Sequence, residues 1–496
     1  MKKIIYIFLF LLSISCYFPA YAKDNSISAY GAIGNGIADD TQAFQSALNE
    51  SGTLTLETGK TYRLTRGLLI PSSTIINGNN ATILIDDLNF FMDTSNLSEN
   101  NGKGLFYYQF FFPKNYSTTS ELLEINDLSI IWNVSKKINH VNTYYLFLIN
   151  DIQSVNFQSV SITIKGNTNN SIQPIKFNTT ANEITLNNCS ISNYCHGTDG
   201  SCIWFHANSL YGYPNVAINN SYFYSEAHDE IISAWGPYKK HINIENCNFL
   251  RNCVPCLGPD KKNVTTNNIC LVSKSTTSLS GDYVNTVDAS SSITYTNCNF
   301  NITSQSESSK PLYFITSSSY YGTPIKTYFK NCNINGSFSK GFISGESSSS
   351  ETLSTISNSI YRTNIGIFFD KCNLNIDAPT LITTRSTNTT FKNCYINTTN
   401  VLLDMLYADN KLLACSYFSF INNTIKTTNN ISAFFKDLSS EQYNQLYVYN
   451  NVFSFPSTTT PALYSLSTRQ YSTFEKIHYN NAKSNMTFLQ NSLLSY

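Results

Sequence analysis

The stretch Ala29-Tyr-Gly-Ala-Ile-Gly-Asn-Gly-Ile-Ala-Asp-Asp-Thr-Gln-Ala-Phe-Gln-Ser-Ala-Leu48 decides how the rest of the chain is read. Gly31, Gly34 and Gly36 permit the positive backbone angles of a tight loop. Asp39 or Asp40 then stands where a side-chain oxygen accepts hydrogen bonds from the first free N–H groups of a helix. Ala43, Phe44, Ala47 and Leu48 fall on one face of that helix, which gives it an apolar stripe and a polar back. Such a helix reads as a lid. The residues after it alternate like strands around turns, first over Gly52-Thr-Leu-Thr-Leu-Glu-Thr-Gly-Lys-Thr-Tyr-Arg-Leu64 and again from Leu68 to Ile83.

From Tyr30 to Gln45 the chain resembles the N-terminal signature of the pectate-lyase-like superfamily of right-handed parallel β-helices, which includes polygalacturonases, rhamnogalacturonan-acting enzymes and phage tailspikes. Tyr30-Gly-Ala, Gly34-Asn-Gly36, Asp39-Asp-Thr41 and Ala43-Phe-Gln45 carry the resemblance; Glu57-Thr58 departs from it, where a proline is usual. It implies an all-β fold, a single-stranded right-handed parallel β-helix with an N-terminal capping helix. It implies no particular reaction, because one scaffold hosts many functions.

A repeat supports that reading. An eight-residue phrase, apolar at alternate positions, recurs as Ile184-Thr-Leu-Asn-Asn-Cys-Ser-Ile191, Val216-Ala-Ile-Asn-Asn-Ser-Tyr-Phe223, Ile242-Asn-Ile-Glu-Asn-Cys-Asn-Phe249 and Ile293-Thr-Tyr-Thr-Asn-Cys-Asn-Phe300. Later copies centre on Cys332, Cys372, Cys394, Asn423 and Asn451, and weaker ones on Leu128 and Val160. The steps between copies vary while the phrase stays constant, as expected of stacked coils whose loops differ. An antiparallel sandwich would place hairpin signals at shorter spacing.

The organisation expected is a signal peptide over 1–22, the cap and first coils over 23–83, β-helix coils over 84–453, and a C-terminal coil and cap over 454–496. Lys2, Lys3, an apolar run from Ile4 to Leu12 and Ala20-Tyr-Ala22 fit a leader cut before Lys23. Cys16 lacks the leucine of a lipobox at Ser13. The run is too short to span a bilayer, so a secreted location is expected: extracellular, periplasmic or cell-surface, with no membrane span.

Without Lys2 and Lys3 the 32 basic residues become 30 against 32 acidic ones, a net charge of about −2. Only 13% of residues are charged, so no basic field exists to gather nucleic acid or an anionic membrane. Polarity comes from Asn, Ser, Thr and Tyr, which suit hydroxyl-rich ligands and equally an AT-rich genome. The frequent Asn-x-Ser/Thr triplets restate the same composition.

Cys189, Cys247, Cys298, Cys332, Cys372 and Cys394 share one phase of the phrase and should stack as an inward column of thiols. Parallel side chains in register point the wrong way to bridge. The remaining Cys195, Cys202, Cys253, Cys256, Cys270 and Cys415 are even in number, which in a secreted chain suggests disulfides. A zinc site at Cys253-x-x-Cys256 lacks a second Cys-x-x-Cys, and no metal is expected.

Acids, histidines and aromatics converge between Tyr194 and Lys262. Asp199 lies 10 residues past Cys189 and Asp229 lies 8 past Ser221, so the two stand at similar corners of neighbouring coils, carboxylates on the order of 5 Å apart. Such a pair splits its pKa values and supplies an acid beside an ionised partner. Asp199, Asp229, Glu230, His228 and Arg251 are the candidate catalytic residues, Arg251 being placed to bind a uronate or stabilise developing charge. His196, Trp204, His206, Trp235 and Tyr238 are candidate substrate contacts. Gly197-Thr-Asp199, Asp229-Glu230 and Cys195-His-Gly197 look like displaced polygalacturonase motifs. Their order differs and no Arg-x-Lys comes after them, so that mechanism is not carried over.

The chemistry expected is hydrolysis or β-elimination of a uronic-acid-containing polysaccharide, without a resident cofactor; calcium enters only for a lyase. The alternative is a non-catalytic glycan-binding, adhesin or structural β-helix. The partner in either case is a polysaccharide or glycan. No heptad or trimerisation segment appears, and the oligomeric state stays open.

Overall fold

A computed structural model describes residues 25–70, 73–86, 108–113, 122–134, 143–150, 152–166, 171–178, 183–196, 200–206, 215–227, 230–235, 241–254, 269–275, 291–319, 325–345, 366–383, 388–404, 417–438, 445–456, 461–466 and 476–480. The expected leader, 1–22, lies outside them. Strands assemble into a 25-stranded and a 13-stranded sheet. Each coil pairs in parallel with the coils before and after it, as Glu183–Asn187 does with Ser154–Lys165 and with Asn215–Asn219. This is the all-β, right-handed parallel β-helix that the cap and the repeat implied, the hand being the one that twisted parallel strands enforce.

The phrase now has a physical cause. Its fifth residue is a left-handed bend joining two strands of one coil, with φ between 50° and 56° at Asn188, Asn220, Asn246, Asn297, Asn331, Asn393 and Asn422. Asparagine tolerates that conformation better than other side chains. The bends also bond along the axis: Asn297 donates to Asn246 at 3.2 Å and Asn331 to Asn297 at 3.4 Å. Lys371 takes the same bend with φ 55°.

Behind each bend the sixth residue points inward. The six in-phase cysteines are buried thiols, as expected, and five of their Sγ atoms donate to carbonyls of the preceding coil, among them Cys332 to Tyr295 and Cys372 to Phe329. Farther along, asparagine takes over the column. Buried Asn423 accepts from the Cys394 N–H at 2.8 Å and donates to the Phe391 carbonyl at 2.9 Å. Beside this column runs an aromatic stack, Tyr295, Phe329, Phe369, Phe391 and Phe420, with successive ring centroids 4.9, 4.7, 4.8 and 5.2 Å apart.

The disulfide expectation is corrected: Cys195, Cys202, Cys253 and Cys270 are buried free thiols, while Cys256 and Cys415 lie outside the described residues. Among the described residues no group of three or more His, Cys, Asp and Glu converges.

The helix Thr41–Ser51 is the lid. Ala43, Phe44, Ala47 and Leu48 are buried, and Phe44 meets Tyr62 edge-on at 5.4 Å. Asp39 accepts the Thr41 N–H at 3.1 Å. Asp40 turns back instead to the glycine loop, accepting from Ile33 at 2.7 Å and Gly34 at 3.2 Å. Gly34 has φ 66°, and a Cβ there would lie 2.8 Å from the Tyr62 ring. At the other end, Ala462–Leu466 and Lys476–Asn480 add further parallel strands to Ala433–Leu438 and Gln445–Tyr449.

Candidate functional site

The site is a corner between the two sheets. Strands Ser190–Asn193, Tyr222–Ser225 and Asn248–Cys253 lie side by side, with Asn193, Ser225 and Arg251 level with one another and all fully buried. These inward groups hold the turn from inside. Asn193 donates to the carbonyls of Ile172 at 2.9 Å and Gly200 at 3.0 Å and accepts from the Cys195 N–H at 3.1 Å. Arg251 donates to the Ala227 carbonyl at 3.1 Å. Gly200 is close-packed, since a Cβ on it would stand 2.5 Å from that of Ala227.

Outward positions alternate with these. His196 Nε2 lies 2.9 Å from Glu226 Oε2, with side chains 28% and 17% exposed. The Tyr224 hydroxyl donates to the other Glu226 oxygen. Burial, then the hydrogen bond and charge of Glu226, push the Tyr224 phenol well above its ordinary range. The rings of Tyr194 and Tyr224 sit 4.7 Å apart, tilted by 37°, and Tyr194 and Tyr222 are exposed. The result is a carboxylate bridged to an imidazole and a phenol, edged by aromatic faces.

A second cluster lies on the 13-stranded sheet. Lys176 Nζ stands 4.0 Å from the Trp204 ring centroid and 4.9 Å from that of Tyr145, and donates to the Tyr145 hydroxyl at 3.3 Å. Burial pulls the Lys176 amine down to about 8. Trp204 is half-buried, and the ammonium covers one of its ring faces, which closes that face to a sugar.

Of the expected catalytic residues, Asp199, His228 and Asp229 lie outside the described residues, as does Tyr238. Arg251, expected to bind a uronate or stabilise developing charge, is fully buried, because it continues the inward alternation from Cys247 through Phe249. Glu230 is likewise buried, 6% exposed, and accepts from the Ser201 hydroxyl at 3.5 Å. His206 and Trp235 pair in register at the ends of Ile203–His206 and Ile232–Trp235. His196 does face outward. Glu226, Tyr224, Lys176 and Tyr145 were not singled out from the sequence.

No protein-family model matches the chain. A pre-neck appendage protein of Bacillus phage B103 is 26% identical over 246 residues, 46% of this chain and 23% of that protein. The chain thus spans about a quarter of the length of that relative. Similar solved structures include the A-module of mannuronan C-5 epimerase AlgE6 of Azotobacter vinelandii, at TM-score 0.44 and 9% identity, covering 93% of this chain and 100% of that one. Tailspike protein 3 of bacteriophage CBA120 gives 0.43 and 12%, covering 93% and 62%. The Streptococcus pneumoniae surface adhesin PfbA gives 0.31 and 12%, covering 92% and 89%. The chain has the parallel β-helix fold. Among its described residues no helix is long and apolar enough to cross a membrane.

Proposed function

We propose that this β-helix recognises a polysaccharide outside the cell or on a virion surface, at the corner formed by Tyr194, His196, Tyr224 and Glu226. The observation that carries this is the Glu226 carboxylate, held by His196 and Tyr224 beside exposed tyrosine rings. A fixed carboxylate accepts sugar hydroxyls, and tyrosine offers an apolar face with a polar edge. Lys165 is exposed at the end of the neighbouring coil, one residue past Ile164, which pairs with Asn193. It supplies a cation for a uronate. The relationship to a phage appendage protein and the leader-like 1–22 segment support a place outside the cytoplasm.

Turnover is the second reading. Asp199 follows His196 by three residues and Asp229 follows Glu226 by three, so two carboxylates come close in sequence after the two residues whose side chains are in contact. They would act as the acid and its ionised partner, with His228 supporting, in a hydrolase; with calcium, as ion ligands in a lyase.

The test is binding of the full chain to a panel of acidic and neutral polysaccharides, with and without calcium, while new reducing ends and the ultraviolet absorbance of unsaturated uronates are monitored. Binding weakened about tenfold by Glu226→Gln and by Tyr194→Ala is expected. Reducing ends lost in Asp199→Asn and Asp229→Asn would identify a hydrolase, and both signals together a lyase. No binding to any member of the panel would overturn the proposal.

A further inference from the structure

Beyond the corner, one outward strip of the β-helix carries an unexplained pattern. The strands just after the bends place Tyr222, Asn248, Asn299, Asn333, Asn373 and Tyr395 in one column, each level with the next. All six are exposed. Two residues along, a second outward column passes from Tyr224 and Leu250 to Asn301, Asn335, Asn375 and Asn397. Asparagine is disfavoured in strands, so eight of them at outward strand positions need a reason beyond propensity.

The amides are ordered. Asn299 donates to Asn248 at 2.9 Å, Asn333 to Asn299 at 2.8 Å and Asn397 to Asn375 at 2.7 Å. An amide offers two N–H donors and two lone pairs; a ladder contact uses one donor of one residue and one lone pair of the other, which leaves capacity for further bonds at exposed Asn299 and Asn333. Their orientation is set beforehand, so little side-chain entropy is lost when a ligand binds. Neither column holds a charge from Tyr222 to Asn397. The strip thus gives no electrostatic attraction to an acidic polymer. It offers donors and acceptors at the coil spacing, five steps of roughly 4.8 Å or about 24 Å in all. One pyranose of an extended chain advances by about one coil. Tyr222 and Tyr395 close the two ends with exposed rings, and Tyr222 and Tyr224 join the strip to the corner.

We infer that this strip binds an extended, uncharged polysaccharide laid along the β-helix axis, one sugar per coil. It rests on the polysaccharide reading above for the ligand's class alone, and its failure is separable because the two sites are disabled by different substitutions.

The experiment uses the full chain in affinity electrophoresis through gels containing soluble neutral β-1,4-glucan, mannan or xylan, and titrations with the matching oligosaccharides of increasing length. Retardation by at least one neutral polymer is expected, unchanged by salt, with affinity rising up to about six units and then levelling, as one sugar on each coil of the strip requires. Asn335→Thr with Asn375→Thr should cut that affinity about tenfold without lowering Tm, since threonine suits a strand. The same double substitution should cut it by the same factor in a Glu226→Gln background, where the corner is disabled. Retention only by acidic polymers, screened by salt, would overturn the inference and leave the corner as the binding site. So would neutral binding unmoved by the double substitution. Self-association of the chain abolished by that substitution would instead make the strip an interface between copies.

Discussion

Lys176→Met should stabilise the protein at neutral pH, and the gain should vanish as the solution becomes alkaline. Burial pulls the Lys176 amine from its ordinary 10.5 to about 8. The difference, 10.5 − 8, corresponds to about 3 kcal/mol against the folded state wherever the amine is charged. Between the two values the unfolded chain binds more protons than the folded one, so stability rises with pH there. The penalty is complete below about pH 8 and gone above about pH 10.5. Contacts with the Trp204 and Tyr145 rings return about 1–2 kcal/mol at a desolvated site, and methionine fills the same space. The net gain expected at pH 7 is about 1–2 kcal/mol. Burial pushes the Cys202 and Cys270 thiols up to about 12, which works the other way above pH 9, but both proteins share that effect and it drops out of their difference. Paired urea denaturation curves from about pH 6 to about pH 10 measure it. A difference that stays flat across that range, or a variant less stable throughout, would refute the reasoning and mean that Lys176 keeps its proton in the fold.

Lys371→Asn should raise stability by about 1 kcal/mol, seen as a higher Tm, because the bend at φ 55° disfavours lysine and accepts asparagine. Of the thirteen cysteines ten are buried thiols, so at most three, Cys16, Cys256 and Cys415, should react with a thiol reagent before denaturant is added. A count above three in the native protein would contradict the burial of those ten thiols. Asn423→Ala should cost about 2–4 kcal/mol in a denaturant titration, since it strands the Cys394 N–H and the Phe391 carbonyl in the core; a loss below about 0.5 kcal/mol would mean that those groups find other partners.

Much of the fold was legible because a β-helix writes one strand phrase many times and each copy corrects the others. The Asn-Cys pair by itself carries both the bend and the inward column. The candidate site was harder, and parity accounts for part of the failure. Arg251 lies 4 residues past Cys247, an even step that keeps it inward, whereas Glu226 lies 5 past Ser221 and Tyr194 lies 5 past Cys189, odd steps that turn outward. The same period of two that located the core separates these residues, but clustering of charge drew attention to Arg251 and Glu230 instead. Lys176 left no such signal: its partners Tyr145 and Trp204 come from the coils on either side, and only register unites them. The cysteines misled because an even number in a secreted-looking chain suggests pairing, whereas Cys195, Cys202, Cys253 and Cys270 are buried as separate thiols, with Cys202 donating to the Tyr224 carbonyl.

Burial gives Arg251 a different part in the site. Its guanidinium holds the carbonyl of Ala227, one residue past Glu226. Asn193, level with Arg251 two coils away, holds the carbonyl of Gly200, one residue past Asp199. The backbone at Gly200 and at Ala227 is therefore held from inside by buried donors, close to the outward pair His196 and Glu226. A turn fixed in this way keeps its side chains aimed without a ligand to organise them, which is the condition for binding energy to reach the ligand undiminished. Replacing Arg251 would release the Ala227 carbonyl beside Glu226 and leave the Asn193 contacts in place, although the arginine itself lies beneath any surface that a sugar can touch.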